Sequence, residues 1–483
     1  MAVIDFGMIE RQGRRIQRLI AQMAYGVTFE TLVRAHNADE LEQMTITRPD
    51  GSLVRLLHYR AMTDPQRVQA EVLAPLSTST KSVRLCIPSV SPVRSNVAAE
   101  DQLTQGAVLL FVGLDVFTIQ LPNVPHRSVG EPSTERAVFG PKDAFVENIE
   151  QNIALLRSHL RDPRLHAERL TLGTRAPTTV AVLYVSGHVD AKMLDDVMTR
   201  LTHYLPQRVG FISSLLRPLF GPIWSPFLPA EFTERVYRVA DFLFRGHIVI
   251  LADGSPFALV VPVPLVEMFM DEEEYLQATL TRYFVRGLRA LSFLIAMLGP
   301  GLYVAVLTVD TTILPGLLAV AIASSRASIA YPILTETLLM LIIVDIMAEA
   351  TVSMKGILGP AISIVGSLIV GEAAVRANLA SNLGVILLAL TTLATFITPR
   401  YQMTYAARIW KYGFLFISAI FGIVGWSIGV LWLMTDLVGK RELGMHYLAP
   451  LAPFRPEAFS TASATTDRKT RSADYMKTGR ARS

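Results

Sequence analysis

Charged side chains set in apolar sequence are the residues of this chain whose chemistry needs a reason. Asp345 and Glu349 stand four apart in a run dominated by Leu, Ile, Val, Met and Ala, Glu336 lies earlier in that run, and Glu372 and Arg376 repeat the spacing further on. At a helix centre in a bilayer each such group costs about 2.5–3.5 kcal/mol on an insertion scale, so it faces a partner or a water-filled cavity. Residues four apart share one helix face. For Glu372 and Arg376 that suits an internal ion pair. Asp345 and Glu349 are two acids with no cation closer in sequence than Lys355. They suit a water-lined cation path, a partner on another helix, or a place at the membrane surface near Lys355.

Other chemistries find no support. There is no P-loop, His-Glu-x-x-His, Cys-x-x-Cys or Gly-x-Ser-x-Gly nucleophile elbow, so the chain is not expected to be an enzyme or to carry a cofactor. Its single cysteine, Cys86, rules out an intramolecular disulfide framework and a multi-cysteine metal site. The nine histidines are scattered and basic residues do not alternate with aromatics, which argues against nucleic acid as a partner.

The elements that would hold these charges lie in the last third. Between Ala290 and Pro399 the only cations are Arg326, Lys355 and Arg376, and the 483-residue chain is 51% hydrophobic with a mean hydropathy of +0.38. Five candidate spans follow: Ala290–Val309, Ser328–Ala348, Ile357–Ala374, Ala380–Ile397 and Tyr412–Met434. The positive-inside rule puts Arg282, Arg286 and Arg289, then Lys355, then Arg400, Arg408 and Lys411 in the cytosol. Five spans would leave the basic tail outside; a separate dip at Leu314–Ile322, or a re-entrant span, would bring both ends to the cytosol and is preferred. Gly299-Pro300-Gly301 is expected to kink or break the first span. Gly359, Ser363, Gly366, Gly371, Ala374 and Ala377 suit close helix packing or a pore.

Ahead of the spans the sequence reads as an α/β soluble head of two small, possibly duplicated α/β subdomains, followed by an all-α multi-span transmembrane domain. Strand-like Leu53–Tyr59 leads to Asp64 and a helical pattern to Leu76, and Val180–Val185 leads to Asp190 and a helical pattern to Leu201. Asp at each turn is placed to cap the helix. Asp253-Gly254-Ser255-Pro256 should turn a hairpin between Ile248–Leu251 and Phe257–Val261. The divisions are 1–125 and 126–285 for the subdomains, 286–437 for the transmembrane domain, and 438–483 for a tail expected to be disordered after Ser460. With no apolar leader at the N-terminus the head is expected in the cytosol. Met8–Met23 reads as a helix with a basic outer face, which could also lie on anionic lipid.

The most specific stretch lies between the subdomains: Glu131-Pro132-Ser133-Thr134-Glu135, then Gly140-Pro141, Phe145 and Glu147, then Asn152, Leu155 and Arg157. Asp143 is placed to cap a helix with an apolar stripe of Phe145, Ile149, Ile153 and Leu156, leaving Glu147 and Arg157 on its polar flank. These residues, with Arg127, Ser128, Asp253-Gly254-x-Pro256, Glu349-Ala350, Gly359 and the closing Tyr447-Leu448-x-Pro450, resemble the A subunits of spore germinant receptors (the GerA type, including the SpoVA-operon paralogue) over roughly residues 50 to 453. The resemblance implies an oligomeric membrane subunit forming an ion path in the inner membrane of the bacterial spore. Its implied partners are a transmembrane B-type subunit, which chiefly binds the nutrient, and a lipoprotein C-type subunit. The chain departs from the pattern at Val236-Tyr237, at His247, at Phe139, and before Gly359, where Ala348–Lys355 lacks both family arginines. A non-conducting scaffold and a secondary transporter are the alternatives.

Overall fold

A computed structural model describes residues 29–35, 40–80, 82–87, 89–93, 95–113, 115–121, 141–204, 206–222, 224–271, 274, 278–329, 331–353, 371–398 and 400–454. Met8–Met23, Glu131, Pro132, Thr134, Glu135, Gly140, most of the span expected at 357–374 and the tail beyond 454 lie outside the described residues. Over the described residues the chain divides into two units, one holding those up to 221 and 230–262, the other 222–229 and 263–454.

The first unit carries two five-stranded sheets. Strands β1 (Leu41–Thr47), β2 (Leu53–Tyr59), β3 (Ser91–Val93), β4 (Ala107–Val112) and β5 (Asp115–Gln120) are ordered β1-β2-β4-β5-β3. Strands β6 (Leu165–Leu172), β7 (Thr178–Val185), β8 (Glu231–Thr233), β9 (Ile248–Ala252) and β10 (Ala258–Val261) are ordered β6-β7-β9-β10-β8. The two orders are one topology repeated, antiparallel at every pairing, as the possible duplication of the two subdomains suggested.

Side-chain alternation explains the layers of the first sheet. Val54, Leu56, Val108 and Leu110 point to one face and pack with Val68, Val72 and Leu76 of the helical stretch 65–78. Leu57, Tyr59, Leu109 and Phe111 point to the other and pack with Ala99 and Leu103 of helix Asn96–Thr104. A sheet covered on both faces needs apolar central strands, which is why β4 and β9 read as unbroken hydrophobic runs. Asp64 accepts the Gln66 and Arg67 amides and Asp190 accepts the Lys192 amide, the capping roles expected of them. The turn at Asp253-Gly254, with Gly254 at φ 80°, joins β9 to β10 as a hairpin.

The second unit is helical: Thr279–Thr308, Gly316–Arg326, Ile333–Ser353, Asn382–Ile397 and Tyr401–Gly439. Two of these, Thr279–Thr308 and Tyr401–Gly439, are long and apolar enough to cross a bilayer. The first begins ahead of the division placed at 285/286, and it runs through Pro300 without interruption. Gly301 lies against the backbone of Phe414, where a Cβ would come within 2.9 Å of that residue, so the glycine serves close packing rather than a break.

The break lies elsewhere. Within Tyr401–Gly439, Gly422 adopts φ 61° and ψ −144°, outside the helical region. In a straight helix Trp410 and Trp432 would be about 33 Å apart, yet their ring centroids are 5.2 Å apart. Gly429 lies against the Phe414 ring. The single span expected at Tyr412–Met434 is therefore a helical hairpin, with arms 401–421 and 423–439 and its tip at Gly422. Only glycine adopts this φ without strain, and a Cβ there would lie 2.2 Å from Asp310 Oδ2.

Candidate functional site

The ionisable residues singled out in the helical unit fall into three groups, two built across helices and one within a single helical turn. Glu336, in the first turn of Ile333–Ser353, is 1% exposed. Its Oε1 accepts the Ser381 amide and hydroxyl, both at 2.7 Å, and its Oε2 is paired with Arg326. Ser381 caps helix Asn382–Ile397 by accepting the Gly384 amide, so the carboxylate lies at that helix's positive end. The Tyr303 hydroxyl is 3.4 Å from Ser381 Oγ. A charge this deep is tolerated because both carboxylate oxygens have donors, one of them a guanidinium.

Asp345 and Glu349 meet the hairpin arm 401–421. Lys411 Nζ donates to Asp345 Oδ1 at 2.8 Å, the Tyr412 hydroxyl donates to Oδ2 at 2.5 Å, and Arg408 stands 3.8 Å away. Arg408 also reaches Glu349 at 3.4 Å. The partner is on another helix, 66 residues along the chain from Asp345. Lys355, the nearest cation in sequence, lies outside the described residues. Glu372 and Arg376 pair with each other at 2.5 Å, with side chains 57% and 79% exposed. Of the five residues singled out from sequence, Glu336 and Asp345 are thus enclosed by partners, while Glu349, Glu372 and Arg376 face outward from this chain.

Two acids not singled out complete the picture. Asp310, after the helix Thr279–Thr308, accepts the Ile423 amide at 2.7 Å and so caps the second hairpin arm. Glu274 is 1% exposed. It binds Arg286 at 2.5 Å and Arg289, while its carbonyl accepts from Arg282 at 3.1 Å. The sequence signal for Glu274 was present, an acid eight to fifteen residues before three arginines, but only the helix's first turns bring them together. Arg289 and Arg400 both donate to the 269–270 backbone, at 3.3 and 3.4 Å, so the entry of the first long helix and that of the hairpin lie at one end of the bundle. The hairpin returns to that end: Lys440 Nζ reaches the carbonyl of Phe227, whose ring lies 6.5 Å from Trp410.

In the head, the described signature residues are clamps. Asn152 accepts the Val146 amide at 2.8 Å and donates to the Val146 carbonyl at 2.6 Å. The Asp253 carboxylate accepts the Ile149 amide at 3.2 Å, and the Gly254 amide donates to the Glu147 carbonyl at 2.7 Å, fastening residues 146–152 to the β9–β10 turn. The helix starts at Ile149 with Asn148 as its cap; Asp143 instead faces His159 at 3.2 Å, because residues 141–148 run on as an extended segment. Pro141 is exposed in that segment. Arg157, expected on a polar flank, is buried. It pairs with Glu40 of the first sheet's entry, stacks 4.3 Å over the Tyr59 ring and donates to the Leu165 carbonyl. It joins the two sheets.

The chain thus joins a head of two sheets with one shared topology to a helical unit in which two apolar helices are long enough to cross a membrane. The sequence profile of the family described as Bacillus/Clostridium GerA spore germination protein matches residues 28–473, and the chain belongs to that family. It is similar to Spore germination protein KA of Bacillus subtilis (strain 168), at 34% identity over 439 residues covering 87% of this chain and 80% of that protein. It is also similar to Spore germination protein A1 of the same strain, at 29% identity with 85% and 87% covered. The N-terminal domain of the A subunit of the Bacillus megaterium spore germinant receptor GerK3 aligns with 48% of this chain and 92% of its own at 20% identity and a TM-score of 0.37, too loose a likeness to carry weight.

Proposed function

We propose that this chain is the A-type membrane subunit of a spore germinant receptor, coupling nutrient sensing to ion release as an oligomeric ion path in the inner spore membrane. It has no catalytic role in this reading, and transmembrane B-type and lipoprotein C-type subunits are its partners. The observation that carries the proposal is the split among the charges of the bundle. Glu336 and Asp345 are enclosed with Arg326 and Lys411, whereas Glu372 and Arg376, paired with each other, and Glu349, beside Arg408, keep their side chains more than half exposed. Charged side chains on the outside of a membrane helix need water or a polar neighbour, and the lumen between copies of one chain supplies both. Glu349, Glu372 and Arg376 are therefore the lumen candidates, and Asp345 and Glu336 hold the bundle together.

The arginines and lysines at the shared end of the bundle support an orientation with that end, and the head, in the cytosol. The hairpin brings Lys440 back to this end, so the basic tail needs no passage across the bilayer. Spans beyond the two long apolar helices belong to the same proposal. The test is cation release from liposomes holding the purified chain, alone and with its neighbouring subunits. Flux that falls in Glu349→Gln and Glu372→Gln at unchanged insertion supports a conducting path. A fully inserted oligomer that passes no cations under either condition rejects it in favour of a scaffold, the reading that the missing arginines before Gly359 would favour.

A further inference from the structure

Three helices meet beside Glu336 and leave a small cavity between them. It encloses about 10 Å³ and is walled by Pro300 of Thr279–Thr308, by Glu336, Thr337 and Met340 of Ile333–Ser353, and by Leu388 and Thr391 of Asn382–Ile397. A single water molecule needs about 10–15 Å³, so nothing larger fits.

Three polar groups converge on this space. Thr337 is 7% exposed, and its hydroxyl has no hydrogen-bond partner among the described residues. The Glu336 carboxylate offers about four acceptor sites and meets three donors, the Ser381 amide, the Ser381 hydroxyl and Arg326, so one site remains. The Thr391 hydroxyl donates to the Leu387 carbonyl at 2.8 Å, which commits its proton and leaves its oxygen able to accept.

We propose that this cavity is a binding site for one structural water, which accepts from Thr337 and donates to Glu336 and Thr391. Three hydrogen bonds are the usual complement of a buried water. The water ties Ile333–Ser353 to Asn382–Ile397 next to Pro300, extending the clasp that Glu336 and Ser381 already make between the same two helices. Cavities that stay dry are apolar, and a dry one here would strand the Thr337 hydroxyl. A bare monovalent cation suits the space less well, because the Arg326 guanidinium is already paired with the carboxylate it would need. The inference requires neither ion conduction nor a partner subunit.

The experiment uses the full chain in lipid nanodiscs with isotope-labelled threonine, methionine and leucine methyl groups, and follows magnetisation transfer from water by NMR. A bound water gives transfer to the methyls of Thr337, Met340 and Leu388. Thr337→Val keeps the shape and removes the hydroxyl; it should lose the transfer to Met340 and Leu388 and lower the folding equilibrium constant in mixed micelles about tenfold. Thr391→Val acts through the same water, so the double variant should be no less stable than the weaker single variant. Absence of transfer in the wild type, or a Thr337→Val chain as stable as the wild type, means a dry cavity and overturns the proposal. Strictly additive losses mean the two threonines share no water and overturn it too. A wild-type stability that falls when sodium chloride is replaced by choline chloride, with Thr337→Val unaffected, makes the occupant a cation and also refutes it. If Thr337→Val fails to fold, Thr391→Val decides: transfer to Met340 and Leu388 lost there supports the site, and transfer unchanged rejects it.

Discussion

Asp345 and Lys411 offer the sharpest test of what the intramembrane charges do. Their side chains are 20% and 6% exposed and 2.8 Å apart, with the Tyr412 hydroxyl also on the carboxylate. Asp345→Asn keeps the shape but strips Lys411 of its counter-ion. Removing one partner of a buried pair costs about 3–5 kcal/mol, and the partial exposure of Asp345 places the expected loss near about 3 kcal/mol. Lys411→Met should cost less, about 2 kcal/mol, because Arg408 at 3.8 Å still faces the acid. The double variant leaves no uncompensated charge and should lose only about 2 kcal/mol, a coupling of about 3 kcal/mol between two contacting residues. Reversible unfolding of the full chain in mixed micelles, followed by tryptophan emission, measures all three. Cation flux from liposomes, recorded on the same samples, separates the roles. An Asp345→Asn chain as stable as wild type but slower in flux would refute the structural assignment and make Asp345 a lumen residue. Strict additivity in the double variant would show that the ion pair contributes nothing.

The hairpin predicts that cysteines introduced by Trp410→Cys and Trp432→Cys, in a Cys86→Ser background, cross-link efficiently with a short bifunctional thiol reagent; a continuous 39-residue helix would give no product. Gly422→Ala should abolish that cross-link, because its Cβ cannot coexist with Asp310 in this geometry. In the head, Arg157→Met should lower stability to urea by about 3–5 kcal/mol through the stranded Glu40 carboxylate, with Glu40→Gln in the same chain recovering part of it. Burial holds His58 below its ordinary value, with Glu42 opposing that effect in part. A depressed histidine stabilises the fold above its unfolded value, near pH 6.5, and the benefit disappears as pH falls towards the folded value. Its share of the acid slope is at most one proton, about 1.4 kcal/mol per pH unit, and His58→Gln should remove that share from head stability measured between pH 7 and pH 5.

Local chemistry was readable in the chain itself. β2 occupies Leu53–Tyr59 as its apolar run suggested, Asp64 and Asp190 cap their helices, and Asp253-Gly254 turns its hairpin. Each of these depends on neighbours within a few residues, and so does the i, i+4 pair of Glu372 and Arg376. Signals of longer range were misread where two local rules compete. Pro300 lies inside an intact helix because the apolar faces around it are packed and Gly301 sits against Phe414, and the chain turns at Gly422, where no proline marks it. An apolar 39-residue helix and an apolar hairpin share the same composition and differ only in one positive φ.

Arg157 shows the limit most directly. Helical spacing put it beside Glu147 on a wet face, yet it is buried against Glu40 and Tyr59, because a guanidinium's environment is set by whichever sheet packs over it. Asp345 is the same case in the helical unit. The sequence alone determined that an acid in an apolar helix must have a partner or water, since a bare charge there is too costly. That the partner is Lys411 was decided by the tertiary structure, because the hairpin brings one face of its first arm against Ile333–Ser353, and electrostatic pairing follows distance in space rather than along the chain.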